Sequence, residues 1–175
     1  MKKTLTVLLI IVTLLSLFSC GNDEYNFSVK SGEKAYHELG LYYKLPKDFE
    51  QRNAYQEIEM YYSNGEACFF FNAFSATGIE ETLGLDPDIS VEDYTKKFII
   101  FNGLDMDYDY DPETDRARFE YDYEYSNEDI EAEKYMYLIM RGTAHLYIIT
   151  ASCKLEYYSE YAEMFDELLT IVYAD

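Results

Sequence analysis

Apolar and polar residues recur at period two over most of the second half of the chain and at helical spacing in two places. Val91, Tyr94, Phe98 and Phe101 recur at helical spacing behind Ser90, a good N-cap, with Glu92 and Asp93 at the positive end of the dipole and Asn102-Gly103 as the stop. Tyr161, Met164, Phe165, Leu168, Leu169 and Val172 form the stripe of a second helix over 157–172. Before the first helix, Lys34 to Leu45 holds one or two short strands, broken at Gly40 and stopped at Pro46. Tyr55–Tyr62 and Glu66–Phe74 flank Asn64-Gly65, a tight-turn signal, which predicts a hairpin pairing Tyr62 with Ala67 and Met60 with Phe69.

Four strands are expected between the helices. Leu104, Met106, Tyr108 and Tyr110 alternate with Asp105, Asp107 and Asp109. Ala117, Phe119, Tyr121, Tyr123 and Tyr125 alternate with Arg118, Glu120, Asp122 and Glu124. Each of these strands has one wet and one aromatic face. Residues 130–141 and 144–153 meet at Gly142-Thr143, read as a type II′ turn that sets Met140 against His145 and Ile139 against Leu146. Both faces of that pair are apolar, so both need cover, and the two helices supply it. The expected fold is α+β: an antiparallel β-meander sheet flanked by helices, with one face bare toward one edge.

The N-terminus follows another pattern. Met1-Lys2-Lys3 precedes an apolar run from Thr4 to Phe18, closed by Ser19-Cys20, as in a secretory signal peptide. At about fifteen residues the run is shorter than the roughly 20 that a spanning helix needs. Leu17-Phe18-Ser19-Cys20 resembles a bacterial lipobox, with Phe18 departing from the small residue usual there. The resemblance implies cleavage before Cys20, a diacylglycerol on its sulfur, a fatty acyl chain such as palmitate on its amine, and a partner in the lipid bilayer. The expected organisation is a signal peptide over 1–19, the lipidated Cys20 and a polar tether over 20–31, and one domain over 32–175 outside the cytoplasm at the cell envelope.

Charge and composition narrow the function. The chain has 175 residues, 34 acidic against 14 basic, for a formal charge of −20, and loss of residues 1–19 with two lysines would make it −22. No basic run follows residue 3, so nucleic-acid backbones are repelled. Aromatics make up 18% of residues, 20 of them Tyr and none Trp, which provides a packed core rather than an acidic coil. Cys68 and Cys153 would stand in a compartment that permits a disulfide, but they sit in strand-like apolar runs and read as free buried thiols.

The short strand ending in Leu45-Pro46-Lys47-Asp48-Phe49, the hairpin, the helix, the strand run and the final helix opened by Ser152-Cys153-Lys154-Leu155-Glu156-Tyr157 together resemble the PsbP-like α/β/α fold, over about residues 33–173. This class includes small bacterial lipoproteins, a photosystem II subunit and protein-binding modules. The resemblance implies a three-layer arrangement and carries no catalytic residue.

Catalytic signatures are absent from the sequence: His37 and His145 are the only histidines, and there is no HExxH, nucleophile elbow, P-loop or G-x-G-x-x-G. The sharpest oddity is an acidic ladder. If 111–116 is the loop, Asp109 opposes Arg118, Asp107 opposes Glu120 and Asp105 opposes Asp122, and like charges across a ladder are destabilising. A Ca²⁺ ion, which takes about six to eight oxygens, is one remedy, with Asp105, Asp107, Asp109, Glu120 and Asp122 as ligands. As an EF-hand the motif fails, with Tyr110 where Gly belongs and Arg116 where Glu belongs. The other remedy is solvation, on a face that deters edge aggregation. Tyr121, Tyr123 and Tyr125 read either as core under a helix or as a stacking platform for sugar or peptide. The expected function is a non-catalytic binding or accessory module engaging an envelope protein or component through an acidic, Tyr-rich surface. A Ca²⁺-binding stability or sensing protein and a carboxylate-dependent hydrolase are the alternatives.

Overall fold

The structure, a computed structural model, describes residues 28–53, 58–124 and 131–175. Cys20, the signal-like segment, Tyr125 and the start of the 55–62 run lie outside these residues. The strands are β1 (Glu33–Glu38), β2 (Leu41–Pro46), β3 (Glu50–Gln51), β4 (Met60–Ser63) and β5 (Ala67–Ser75), followed after two helices by β6 (Asp109–Asp111), β7 (Arg116–Tyr123), β8 (Glu133–Arg141), β9 (His145–Lys154) and β10 (Tyr173–Ala174). The helices are α1 (Ala76–Leu83), α2 (Val91–Phe101) and α3 (Tyr158–Ile171), the last entered through a 3-10 turn at Leu155–Tyr157.

An antiparallel seven-stranded sheet runs β3-β4-β5-β9-β8-β7-β6, and β1-β2-β10 form a second, small sheet. The α+β class and the three layers are as expected. The chain is not one continuous meander, because β9, the most buried strand, closes back beside β5. Its residues alternate between two cores. Tyr147, Ile149, Ala151 and Cys153 face α3 and the small sheet, with Phe69, Phe71, Leu138, Leu41, Tyr43 and Phe165. Leu146 and Ile148 face α1 and α2, with Ile79, Val91, Ile139, Ala117 and Phe119. A strand apolar on both faces is stable only with cover on both, which decides its central place.

Both hairpins pair two residues away from their expected register. Tyr62 faces Phe69 and Met60 faces Phe71, because the turn is built on Gly65-Glu66, while the Asn64 side chain accepts hydrogen bonds from the Glu66 and Ala67 N–H groups at 3.1 and 2.9 Å. Met140 faces Tyr147 and Ile139 faces Ile148, and the turn lies beyond Gly142, whose N–H donates to the His145 carbonyl at 2.9 Å. A shift of two leaves every side chain on its intended face, so the hydrophobic pattern tolerates it. Gly142 is needed for close approach instead: a Cβ there would lie 2.8 Å from Ala174 Cβ and from the Asp175 carbonyl oxygen. The C-terminal residues lie against that bare backbone, with Asp175 N–H donating to the Gly40 carbonyl at 2.9 Å.

Helix α1 was not foreseen. Ser75 caps it, its hydroxyl accepting from Gly78 N–H at 3.1 Å, and Gly84 at φ 63° ends it. Helix α2 begins at Ser90 as expected, but its buried stripe is Val91, Tyr94, Thr95 and Ile99. Phe101 stands outside that stripe and is 90% exposed.

Candidate functional site: a tyrosine face on the central strands

Helices α1 and α2 roof only part of their face of the large sheet. Phe98 of α2 lies 5.9 Å from Phe119 and 5.5 Å from Tyr137, centroid to centroid, and marks one end of the roof. Further along the same face come Tyr121 and Tyr123 of β7, Tyr135 and Glu133 of β8, Thr150 and Ser152 of β9, and Phe70 and Cys68 of β5. There, among the described residues, ring stacks on neighbouring ring within the sheet. Tyr121 stacks on Tyr135 at 5.5 Å and on Tyr137 at 5.9 Å, at interplanar angles of 15° and 10°. Tyr121, Tyr135, Tyr137 and Phe70 are half-buried, and Tyr123 is exposed. Period two dictates this: alternate residues of each strand stand on one face, and register sets Tyr121 directly across from Tyr135.

Between the rings runs a floor of small polar groups. Thr150 and Ser152 are buried, and the Ser152 hydroxyl lies 3.0 Å from the Cys68 sulfur. Burial, followed by hydrogen bonding to Tyr121, pushes the Tyr137 phenol far above its ordinary pKa, and Thr150 also bonds it. Tyr135 donates to the Glu133 carboxylate. Burial pushes the Cys68 thiol up, away from nucleophilic use. Cys68 and Cys153 are free and point to opposite faces of the sheet, which excludes a bond between them. The surface therefore offers flat rings and hydroxyls for stacking and hydrogen bonding on a rigid base. Neither histidine joins it: His37 stacks on Tyr42 at 3.8 Å, and His145 lies against Tyr147.

The acidic ladder is dispersed. Asp109 opposes Arg118 as expected, but β6 has only three residues, so Asp105 and Asp107 precede it on an irregular, exposed segment and face no partner strand. Leu104, Met106 and Tyr108 of that segment pack on the second core, so the alternation survives without the ladder. Glu120 and Asp122 project on the α3 side, where Lys134 of β8 lies 3.2 and 3.1 Å from them. Burial pulls the Lys134 ammonium down, but its hydrogen bonds to Asp122 and Glu120 outweigh that and hold its pKa above the ordinary value. Lys134 also sits 5.0 Å over the Tyr158 ring. In the 111–116 loop, Asp111 accepts from Glu113 N–H at 2.9 Å and the Thr114 hydroxyl at 2.6 Å, and Asp115 accepts from Tyr110. Among the described residues no group of three or more His, Cys, Asp or Glu side chains is placed to hold a metal.

The β7 arginines, of which the sequence reading set Arg118 opposite Asp109 and left Arg116 in the loop, bind α3. Arg118 pairs with Asp166 at 2.9 Å, and Arg116 donates to the Thr170 and Val172 carbonyls at 3.2 and 2.8 Å, completing the helix C-terminus. A second cluster was legible only in space. Lys44 of β2, with its side chain 6% exposed, reaches Glu33 at 3.1 Å and Glu167 at 2.9 Å, and Lys30 reaches Glu167 at 3.0 Å. Burial pulls the Lys44 ammonium down, yet the bonds to Glu167 and Glu33 more than offset this and raise its pKa. Lys44 also donates to the Ser28 carbonyl at 3.4 Å, holding the first described residues against α3.

No protein-family model and no curated protein sequence matches the chain. Solved structures do. The Saccharomyces cerevisiae Ran-binding protein Mog1p aligns with a TM-score of 0.51 at 10% identity, covering 81% of this chain and 95% of that one. Cyanobacterial PsbP (CyanoP) from Synechocystis sp. PCC 6803 gives 0.49 at 9% identity, covering 90% and 98%. At such identity the likeness to Mog1p is one of fold alone. No helix among the described residues is long and apolar enough to cross a membrane.

Proposed function

We propose that the protein is a bacterial envelope lipoprotein, held to the bilayer through Cys20, whose domain acts as a non-catalytic binding module through its tyrosine face. The observation that carries the binding role is the stack of Tyr121 on Tyr135, half-buried on the central strands and continuing from Tyr137, which Phe98 of α2 touches at the end of the roof. Aromatic side chains with little conformational freedom contribute contact area at low entropic cost, and their hydroxyl tips add direction. The anchoring role rests on the positive, apolar and Ser19-Cys20 sequence of the N-terminus.

Two measurements test the two halves separately. Membrane fractionation of the wild-type chain and of Cys20→Ala tests the anchor: the variant is expected in the soluble fraction, and its continued sedimentation with envelopes refutes lipidation. Pull-down from native envelopes tests the face, with Tyr121→Ala/Tyr135→Ala as the comparison. A captured component that is lost with the rings supports the reading, and an identical captured set with native-like folding of the variant refutes it.

A further inference from the structure

We infer that residues 28–33 strap the chain to the α3 side of the domain and so fix its orientation on the membrane: α3 and the small sheet are turned to the bilayer that holds Cys20, and the tyrosine face is turned away from it. The inference rests on the Cys20 anchor proposed above and adds from which side a partner reaches the rings.

The strap is made of specific bonds. The buried Lys44 of β2 donates to the Ser28 carbonyl at 3.4 Å, and Lys30 pairs with Glu167 of α3 at 3.0 Å. Lys30 N–H donates to the Glu33 carboxylate at 2.6 Å, Glu33 N–H to the Lys30 carbonyl at 3.1 Å, and Lys47 N–H to the Gly32 carbonyl at 2.8 Å. β2 and α3 cover the face of the large sheet that carries Tyr147 and Ile149. Tyr121 and Tyr137 stand on the other face, beside α2. The chain therefore enters the domain through the layer opposite the rings.

The distance to the anchor is short. Cys20 precedes Ser28 by eight residues. Such a segment spans at most about 28 Å when fully stretched and about 16 Å as a flexible coil. Helices α1 and α2 stand proud of the tyrosine face, so a bilayer approaching from that side meets them first. Layers about 10 Å apart and a helix radius of about 5 Å put the outer side of α2 about 25 Å from the layer that holds Ser28, before any sideways path round the sheet. Laying the tyrosine face on the bilayer takes a tether drawn almost straight, whereas the α3 side is reached by a relaxed one. Lipid adhesion does not compete: the chain carries −20 and α3 exposes Glu160, Glu163 and Asp166, so anionic headgroups repel the domain within a screening distance of about 8 Å. The rings thus look into the space beyond the anchor, and their partner approaches from there rather than from the lipid of the anchoring bilayer.

The test is energy transfer from the bound domain to the lipid. The full chain is expressed in its native cells, purified with the lipid it carries, and placed in vesicles of phosphatidylethanolamine and phosphatidylglycerol holding a headgroup-labelled acceptor lipid in the outer leaflet. The donor dye is carried by Glu163→p-acetylphenylalanine on α3 or, independently, by Lys97→p-acetylphenylalanine on α2, both exposed positions. The expected transfer from position 163 is at least about twofold that from position 97, because the two helix layers lie about 20 Å apart. Inserting about thirty Gly and Ser residues between Asn26 and Phe27 is expected to make the two equal, since a coil of that length reaches round the domain. Equal or reversed transfer from vesicle-bound chain with the native tether overturns the inference, and so does an asymmetry that survives the insertion. Failure of the anchor looks different: the wild-type chain then stays off the vesicles as Cys20→Ala does, neither position transfers, and the orientation falls with the anchor.

Discussion

Replacing Lys44 with Met keeps the length of the side chain and removes only its charge, from a position between Glu33 and Glu167. Breaking a buried ion pair by deleting one partner costs about 3–5 kcal/mol, and a single charge-assisted hydrogen bond is worth about 1.5–3 kcal/mol. Glu33 is 16% exposed and loses its ion-pair partner, whereas Glu167 is 36% exposed and keeps Lys30, so its share is discounted for solvent screening. The expected loss at pH 7 is therefore about 2–3 kcal/mol, a fall in Tm of about 5–10 °C for a domain of this size. The pH dependence identifies the cause. Hydrogen bonds from Lys44 and Lys30 hold the Glu167 carboxyl below its ordinary pKa. For Glu33 burial acts upward but is outweighed by the Lys30 N–H and Lys44. Lowered carboxyl values give stability that is present above the ordinary carboxylate range and lost as pH falls through the folded values. The raised Lys44 value gives stability present below the ordinary lysine range and lost as pH rises through its folded value. The cluster is thus intact from about pH 5 to about pH 10. Thermal melts followed by circular dichroism should show Lys44→Met well below wild type at pH 7 and the gap closing toward pH 3. A gap under about 1 kcal/mol at pH 7, or one unchanged at pH 3, refutes the electrostatic account.

Two further predictions follow from contacts. Gly142→Ala should displace β10, since the new Cβ would stand 2.8 Å from both Ala174 Cβ and the Asp175 carbonyl oxygen and 3.0 Å from the Tyr147 ring. The expected cost is about 1–3 kcal/mol, with faster hydrogen exchange at Thr143 and Asp175, and an unchanged melt would contradict the packing described. Millimolar Ca²⁺ should shift the Tm of the full chain no more than NaCl of equal ionic strength, because Lys134 holds Glu120 and Asp122 and Asp111 is engaged within its own turn. A larger, saturable shift would restore the cation reading.

The alternation of apolar and polar residues by itself determined which strands are central. Nothing but cover on both sides accommodates residues 133–154, and each side chain of β8 and β9 stands on the face that period two assigns to it. The caps at Ser90 and Gly103 and the stripe of α3 were equally legible, because local hydrogen bonding and helical period act within a few residues. What needed the tertiary structure is what depends on chain segments far apart in sequence. Hairpin register moved by two because the hydrophobic pattern repeats every two residues and cannot count further. Phe101 was read inward because the spacing of three from Phe98 is helical, but the turn at Gly103 ends the helix there and Leu104 takes the inner place. The acidic ladder dissolved because β6 is short and because Lys134, twelve residues after Asp122, pairs across the sheet. Lys44, Glu33 and Glu167 became a cluster only when β2 met α3, since a charge's partner is set by folding of the whole chain and leaves no local mark.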